Sequence, residues 1–327
     1  METPALFLLT FLFAFLLCAG ITAILIPRLC AMKMGQKILE IGPVWHAAKE
    51  GTPTMGGLAF LLTALLFGIP AYAILEKALP PSDIYPFILT WLFCIASGAV
   101  GIVDDATKLR RHRNEGLTPT QKIVLQTVLS AAYLAILRMM GKFSTIISLP
   151  FFGGLDLGFA AYFVGMILLL GITNCANLTD GIDGLAAAVG AVIFATYAVF
   201  AARRDDLPAL LLAALLFGCA LAFFLFNHHP ARIFMGDTGS LFFGAGAVAL
   251  PFLLQVPFLS LLCGIIYVVE GVSVILQVLY YKRTKKRLFL MAPIHHHFEK
   301  CGWSENKIVA VFSGITLLAA LLAHFLS

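Results

Sequence analysis

Charged residues are scarce in this chain of 327 residues. They make up 12% of it, against roughly 25% in an ordinary soluble domain, while the apolar types AVILMFWYC account for 61%. A soluble globular enzyme, a disordered chain and a coiled coil all need a larger charged share, so this composition excludes them.

Paired cysteine motifs are missing as well. The seven cysteines are scattered without a CxxC pair, and most lie inside apolar runs. We interpret them as small core residues rather than as bridges or metal ligands, which excludes a disulfide scaffold. The opening residues METPALFLL lack the basic region of a cleavable signal peptide, so we expect the first apolar run to be a retained span.

Long apolar runs are abundant instead. A helix that crosses a bilayer takes about 20 mostly apolar residues. Ten candidate runs lie at about 5–26, 54–75, 85–103, 121–139, 158–173, 184–201, 209–226, 240–257, 258–281 and 308–326. The predicted fold is all-α, a single transmembrane domain over 1–327 with about ten transmembrane helices. Its weakest boundary lies within 240–281, where only Pro251 and Pro257 indicate a break.

The polar connections between these runs fall into two unlike sets. One set holds 17 of the 22 Lys and Arg residues, ten of the 17 acidic residues and seven of the eight histidines. Its segments are 27–53, 104–122, 174–184, 227–240 and 282–307. Because basic loops stay on the cytoplasmic side, we expect this set to be cytoplasmic and both termini to be extracytoplasmic. In the other set, 143–159 contains a Gly-Gly pair and is expected to form a small periplasmic hairpin.

This distribution indicates where a functional site lies. Transporters usually place ionisable groups near the middle of the bilayer, and here only Glu270 lies deep within a predicted span. We therefore expect an interfacial site built from the five cytoplasmic segments.

Two adjacent carboxylates, Asp104 and Asp105, end the third predicted span. Neighbouring carboxylates repel each other, so such a pair usually takes a cation or shares a proton. Lys108 follows about one helical turn later. The alternative interpretation is an acidic helix end beside the basic run 110–113.

A second segment, 174–184, contains no Lys or Arg. Its polar residues recur every three positions, which places them near one face of a helix. They are Asn174, Asn177, Asp180 and Asp183. An EF-hand calcium loop is excluded because the glutamate that ends such a loop is missing. A polar cap that closes the fifth span is the alternative.

In a third segment, 227–240, Asp237 stands between glycines and beside hydroxyl side chains. Its carboxylate suits a hard cation such as Mg²⁺ bound together with phosphate oxygens. Glycines at a helix start can also offer backbone N–H groups to an anion. The alternative is a capped turn, because Asp, Thr and Ser are common helix N-caps.

Two more segments carry polar groups of mixed kinds. In 293–299, three consecutive histidines are not expected to share a zinc ion, because zinc ligands are spaced by about two to five residues. We expect hydrogen-bonding or cationic roles toward phosphate instead. In 49–57, Thr54 can cap a helix or contact phosphate, and a plain loop-to-helix start is the alternative.

Together the five segments offer aspartates for Mg²⁺, lysines and histidines for phosphates, and glycines for backbone contacts. Phosphoryl transfer needs this inventory, because its catalysis is mostly positioning and charge neutralisation. In an amphiphilic setting, one substrate is expected to be a lipid phosphate and the other a water-soluble phosphate ester.

Five motifs occur in order at the ends of successive runs: GTPTMGG, DDATK, NLTDGIDGLA, FMGDTGS and APIHHHFE. With them the whole chain resembles the polyprenyl-phosphate N-acetylhexosamine-1-phosphate transferases, and the histidine motif is most similar to their muramoyl-pentapeptide branch. The resemblance implies a Mg²⁺-dependent phosphoglycosyltransferase. Such an enzyme moves phospho-MurNAc-pentapeptide from UDP-MurNAc-pentapeptide to undecaprenyl phosphate, giving lipid I and UMP.

The resemblance also implies roles for individual residues. The implied catalytic residues are Asp104, Asp105, Lys108, Asn177, Asp180, Asp237, His295, His296 and His297. The implied substrate-binding residues are Lys49, Thr54, Lys122, Asp183, Asn227, Phe234, Gly236 and Gln277. Within these sets, Asp237 matches the Mg²⁺ ligand and Phe234 matches a ring that stacks on uracil. The uridine would also be held by Lys49, Asp183 and Gly236.

The implied partners are the lipid bilayer, both substrates and a second copy of the chain in a homodimer, with no nucleic acid. The implied location is the bacterial cytoplasmic membrane, with the site facing the cytoplasm. Three other functions stay open. A sibling transferase would use UDP-GlcNAc or another UDP-N-acetylhexosamine, and a transporter or lipid flippase would use Glu270 as its coupling group. A scaffold protein of the cell-wall machinery would not need so many carboxylates at one face.

Overall fold

The computed structural model describes residues 3–32, 49, 51–111, 116–149 and 153–326. These residues form twelve helices and one two-stranded sheet, which confirms the all-α prediction. The helices are α1 Thr3–Ala31, α2 Leu58–Ala78, α3 Pro81–Arg111, α4 Pro119–Met139, α5 Ala160–Thr179, α6 Leu185–Arg203, α7 Leu207–Asn227, α8 Gly236–Leu253, α9 Leu259–Cys263, α10 Ile265–Thr284, α11 Ile294–Lys300 and α12 Glu305–Leu326.

Nine helices within the described part of the chain are long and apolar enough to cross a membrane. They are α1 to α7, α10 and α12. The chain is therefore a multi-pass membrane protein. A tenth long helix, α8, is not among the nine because it opens on the polar turn Gly236–Ser240, and it is buried from Thr238 to Leu253.

The central position of α8 follows from its small side chains. It packs against α2, α3, α5, α6, α7 and α9, and much of its first half is Gly, Ala or Ser. A Cβ added at Gly244 would lie 2.8 Å from the Cα of Thr173 on α5. Small residues let helix backbones approach closely in a membrane, where lipid provides no hydrophobic force between helices.

The weakest predicted boundary is placed between Leu253 and Leu259. There α8 ends, the five-residue α9 follows, and α10 begins at Ile265. The long helix in the predicted run 258–281 therefore begins at Ile265, seven residues after the predicted start. The described chain departs from helical structure between α8 and α9, immediately after Pro251 and around Pro257.

The small hairpin expected in 143–159 is present. Strand β1, Ile146–Leu149, pairs antiparallel with β2, Gly153–Asp156. The connecting residues 150–152 lie outside the described part of the chain. That the hairpin lies on the periplasmic side stays a prediction.

The bundle gathers the polar segments at one end. The carboxyl ends of α3, α5 and α7 meet the amino ends of α4, α6 and α8 there, and contacts described below join them. Residues 33–48, 50 and 112–115, which belong to two of the predicted segments, lie outside the described part of the chain. That this end faces the cytoplasm stays a prediction.

Candidate active site

Asp237, in the first turn of α8, is the centre of a charged cluster. Its Oδ2 lies 2.7 Å from Nζ of Lys122 on α4 and 3.3 Å from Nζ of Lys108 on α3. Its Oδ1 accepts a hydrogen bond from Nδ2 of Asn177 on α5, at 3.0 Å. Four helices thus bring their polar ends to one carboxylate.

Asn177 and Lys122 also contact each other. The ammonium of Lys122 donates to Oδ1 of Asn177 at 3.3 Å, and the Asn177 amide donates a second hydrogen bond to the Ser240 hydroxyl at 2.7 Å. Both polar atoms of the Asn177 side chain therefore form hydrogen bonds. This fixes the ammonium of Lys122 relative to the carboxylate of Asp237.

Asp105 caps the start of α8. Its carboxylate accepts hydrogen bonds from the Thr238 backbone N–H at 2.9 Å, from the Thr238 hydroxyl at 2.7 Å and from the Asp237 N–H at 3.2 Å. A negative charge at a helix amino terminus satisfies free N–H groups and interacts favourably with the helix dipole. Both oxygens of Asp105 are therefore engaged in holding α8 against α3.

Asp104 is paired differently. Its Oδ2 lies 2.7 Å from Nζ of Lys108, and its Oδ1 accepts from the Leu117 N–H at 2.9 Å. A Cβ added at Gly116 would lie 2.6 Å from either carboxylate oxygen, so a larger residue there would displace the Asp104 side chain. The loop before α4 is thus folded over Asp104, which is 3% exposed.

The three aspartates could together hold a metal ion. One oxygen each of Asp104, Asp105 and Asp237 lies within 4.8 Å of the others. Hard oxygen donors are the ligands that Mg²⁺ takes in proteins. The donor set therefore fits Mg²⁺, and the two lysines supply part of the charge balance that these carboxylates require.

A second charged cluster lies on the loop before α6. Nζ of Lys49 lies 2.7 Å from Asp183 and 2.7 Å from Glu305 at the start of α12. The His229 ring lies 2.9 Å from Asp183 and 3.5 Å from Glu305. Asp183 and Glu305, which are distant in the sequence, therefore both form ion pairs with Lys49.

Carboxylates of both clusters interact electrostatically with Asp180. Desolvation within the site raises the pKa of Asp180 well above its usual range, and the carboxylates of Asp237, Asp105 and Asp183 raise it further. Such a carboxyl binds a proton more readily than an ordinary aspartate does. Asp180 is therefore a candidate for holding a proton near Asp237.

The GTPTMGG motif positions the start of α8 through its backbone. The Phe234 N–H donates to the Pro53 carbonyl, and the N–H groups of Gly56 and Gly57 donate to the carbonyls of Phe234 and Met235, all at 2.8–2.9 Å. A Cβ at Gly57 would lie 2.1 Å from the Gly239 nitrogen. These glycines are therefore explained by close packing of backbones.

Thr54 and Gly236 border the three-aspartate cluster, and Phe234 lies two residues before Gly236. A Cβ added at Gly236, whose φ is +67°, would lie 2.6 Å from an Asp105 oxygen and 3.0 Å from the Thr54 hydroxyl. Thr54 and the Phe234 ring are partly exposed. Contact of Thr54 and Phe234 with a substrate stays a prediction.

Asn227, at the end of α7, ties two loops together. Its Oδ1 accepts from the Gly184 N–H at 3.1 Å, and its Nδ2 donates to the Ile233 carbonyl at 2.8 Å. The residue is 1% exposed. Its amide is thus engaged with backbone, and the predicted contact with phosphate stays a prediction.

We expect Asn227→Ala to lower the free energy of unfolding by about 2–4 kcal/mol, because it leaves a buried N–H and a buried carbonyl without partners. Thermal unfolding in detergent measures the change. Asn306→Ala, at an exposed position of α12, is the matched control and should leave the transition unchanged. Equal unfolding temperatures for the two variants would contradict the conclusion that Asn227 joins the two loops.

The three consecutive histidines face three different partners. His295 is fully buried against Glu270 of α10, His296 lies 2.5 Å from Glu299, and Nδ1 of His297 accepts from the Leu290 N–H. That they do not share one zinc ion stays a prediction. Their roles toward phosphate or catalytic water stay predictions.

Gln277, one of the predicted binding residues, organises the chain after α10. Its Oε1 accepts from the N–H groups of Leu288 and Phe289 at 3.1 and 2.9 Å. The side chain thereby sets the turn that leads to α11. Direct binding of substrate by Gln277 stays a prediction.

Two residues of the charged clusters were not among the predicted site residues, namely Glu305 and His229. Glu305 also accepts the Asp183 N–H at 2.7 Å. Its only sequence signal was an acidic residue in the first turn of the last helix, which usually indicates helix capping. His229 adjoins His228 and Pro230 in the third segment, but no spacing distinguished it from its neighbour.

Known proteins share both the motifs and the length of this chain. Residues 87–255 match the model of Glycosyl transferase family 4, and residues 49–61 match phospho-N-acetylmuramoyl-pentapeptide-transferase signature 1. A phospho-N-acetylmuramoyl-pentapeptide-transferase of Halalkalibacterium halodurans is 38% identical over 98% of this chain and 97% of its own length. Relatives of the same name from Lactiplantibacillus plantarum and Bacillus subtilis are 41% and 38% identical, over 96% and 98% of this chain and 96% and 97% of their own lengths.

Proposed function

The chain belongs to the phospho-N-acetylmuramoyl-pentapeptide-transferase family, and we propose on that premise how its site performs the reaction. The enzyme transfers phospho-MurNAc-pentapeptide from UDP-MurNAc-pentapeptide to undecaprenyl phosphate, which yields lipid I and UMP. The observation that carries the proposal is the convergence of three aspartates and two lysines at one end of a membrane bundle. A lipid head group and a soluble nucleotide can both reach such a site.

Asp237 is the proposed ligand of Mg²⁺, with Asp104 and Asp105 beside it. The ion would neutralise the diphosphate and the departing UMP. The carboxylate of Asp237 is held for this task by Asn177 on one oxygen and by Lys122 on the other.

Lys108 and Lys122 are proposed to hold phosphate oxygens. Both ammonium groups lie within 3.3 Å of the same Asp237 oxygen, so each can turn toward an incoming phosphate without leaving the cluster. Their positive charges stabilise the negative charge that develops on the oxygens of the transferred group.

We propose a direct transfer. An oxygen of the lipid phosphate attacks the β-phosphorus of the UDP-sugar, the new phosphorus–oxygen bond forms, and the bond to UMP breaks. The second pKa of a phosphate monoester is about 6, so at pH 7 the attacking phosphate needs no obligatory base. Asp104 then serves to position charge, and the raised pKa of Asp180 suits a proton-holding role.

In a two-step route an aspartate would attack the β-phosphorus and release UMP, which leaves phospho-MurNAc-pentapeptide bonded to Asp104 or Asp105. Both oxygens of Asp105 accept hydrogen bonds from the start of α8, which disfavours attack by this residue. The direct route is tested by incubating the enzyme with UDP-MurNAc-pentapeptide and no lipid acceptor. Protein that carries covalently bound phospho-MurNAc-pentapeptide, recovered from that mixture, would overturn it.

The uridine is proposed to lie beside the second charged cluster. Lys49 and Asp183 are held together there, and the partly exposed Phe234 ring offers a stacking surface for uracil. Gly236 would let the nucleotide approach the backbone closely. The site is further proposed to face the cytoplasm of a bacterial cell, in a homodimer.

We expect purified protein in mixed detergent and lipid to release UMP from UDP-MurNAc-pentapeptide when undecaprenyl phosphate and Mg²⁺ are present. Chelation of the metal should abolish release, because the diphosphate charge would lose its largest neutralising partner. Restoring Mg²⁺ should restore it. Release that is insensitive to chelation would contradict the metal assignment.

UDP-GlcNAc is the substrate that separates the proposal from its nearest alternative. Release of UMP from UDP-GlcNAc alone would keep the chemistry and move the chain to a sibling specificity. The transporter alternative rested on Glu270 as a coupling group, and this carboxylate is 3.0 Å from His295 in a fully buried pair. That pairing gives Glu270 a partner inside the protein.

A further inference from the structure

The only acidic side chain predicted to lie deep within a span has a specific partner. Oε2 of Glu270, in the second turn of α10, lies 3.0 Å from Nδ1 of His295 on α11, and both side chains are 0% exposed. Among the described residues, His295 is the only ionic partner of Glu270 at ion-pair distance. An isolated buried carboxylate is costly, so the two groups depend on each other.

The other ring nitrogen of His295 points toward the candidate site. A Cβ added at Gly181 would lie 2.2 Å from Nε2 of His295, so the ring is in contact with the loop that carries Asp180 and Asp183. Nε2 itself has no hydrogen-bond partner among the described residues. A buried ring nitrogen without a partner, beside the loop of the site, is positioned for a ligand or a water molecule.

The carboxylate decides what this nitrogen can do. A carboxylate beside Nδ1 favours the proton on Nδ1, and this leaves Nε2 as an acceptor in the neutral ring and as a donor in the charged ring. Carboxylate partners orient histidines in this way in metal sites and catalytic triads. The 3.0 Å approach is not yet aligned as a hydrogen bond, and such contacts often tighten only when substrate is bound.

Surrounding groups restrain the pair from several sides. The rings of His295 and His296 lie 4.1 Å apart, centroid to centroid. A Cβ at Gly271, next to Glu270, would lie 2.2 Å from Sγ of Cys175 on α5. The Ser273 hydroxyl donates to the Glu270 carbonyl at 2.7 Å. α5, α10 and α11 thus fix the pair relative to the loop 180–184.

We infer that Glu270 is a positioning residue of the transferase: its carboxylate keeps the proton of His295 on Nδ1 and so presents Nε2 to the loop that carries Asp180. The inference rests on the proposed function, since it assigns Nε2 a task toward a phosphate oxygen or water of that reaction. It replaces a transport role for Glu270 with a role inside the enzyme.

The kinetic test compares Glu270→Gln, His295→Asn and the double variant with the wild type. We expect Glu270→Gln to lower kcat about tenfold to hundredfold, as loss of a carboxylate behind a functional histidine does, with little change in either KM. Residues that act as a unit are not additive, so the double variant should be no slower than His295→Asn. Ser260→Ala is the matched control and should keep the wild-type kcat, because Ser260 of α9 is also buried and its hydroxyl likewise donates to a carbonyl three residues away.

A spectroscopic test reads the proton directly. In protein labelled with ¹⁵N-histidine, the shifts of the two ring nitrogens report which one is protonated, and loss of signals in His295→Asn identifies the residue. Nδ1 of His295 should carry the proton in the wild type, and the Glu270→Leu variant should lose this preference. This readout does not move if Glu270 merely fills space.

Several results would overturn the inference. They are a wild-type kcat for folded Glu270→Gln, independent and multiplying effects in the double variant, and an unprotonated Nδ1 in the wild type. Thermal unfolding and nucleotide affinity establish that each variant is folded. If the wild type released no UMP at all, the proposed function would fail instead, and the ¹⁵N measurement would still decide whether Glu270 sets the proton on His295.

Discussion

Replacement of Asp237 by asparagine is expected to reduce UMP release about a thousandfold or more, since loss of one preorganised charged group at a reaction centre costs about 10²–10³ in rate and the metal ligand is lost as well. Asp237 is the residue on which Lys108, Lys122 and Asn177 converge. The amide keeps the volume and one acceptor oxygen but removes the charge that the two ammonium groups face.

The fold should survive this change. Removing one of three carboxylates that lie within 4.8 Å of one another relieves repulsion, which offsets the weaker pairing of the lysines. Asp83→Asn is the matched control, because Asp83 forms a 3.1 Å pair with Lys142 and is 43% exposed. It should release UMP at the wild-type rate. Comparable losses in the two variants would mean that Asp237 has no special part in the reaction.

Gly101→Ala is expected to reduce UMP release about hundredfold, because misplacing a catalytic group by about 1 Å has an effect of that size. A Cβ at Gly101 of α3 would lie 2.3 Å from the Asp237 carbonyl oxygen and 2.5 Å from the Thr238 Cα. These are backbone atoms, so α3 and α8 must move apart. The hydrogen bonds that Asp105 accepts from the start of α8 would then be weakened.

The free energy of unfolding should also fall in Gly101→Ala by about 1–3 kcal/mol, because overpacking a core destabilises it by that amount. Alanine is the better helix former by about 1 kcal/mol, so a loss of stability would show that the clash outweighs the propensity. Gly171→Ala is the control, because a Cβ there meets nothing within 4 Å. The control should keep the rate and lose no stability, and a Gly101→Ala variant that did the same would refute the close contact of the two helices.

Local composition was sufficient to predict the fold class. Apolar runs of span length, the near absence of charge within them and the small hairpin near 143–159 are properties of neighbouring residues, and the structure confirms a helical multi-pass protein with that hairpin. The motifs at the ends of the runs led to the family for the same reason. A motif such as FMGDTGS is recognisable without knowledge of what it touches.

The partners of each side chain were decided by the tertiary structure. Asp105 and Thr238 are separated by 133 residues, and Lys49 and Glu305 by 256, yet both pairs are in contact. No periodicity in the sequence links such positions, which is why Glu305 and His229 were not predicted.

The sequence by itself determined that this protein is a helical membrane protein whose polar groups gather in a few loops, and its motifs determined the family. The tertiary structure decided that Asp105 caps α8, that glycines 57 and 101 admit backbone contacts, and that the buried Glu270 faces His295. The physical reason is one of range. Span length and charge asymmetry act along the chain, whereas a cap, a close approach or a buried ion pair exists only where packing brings distant segments together.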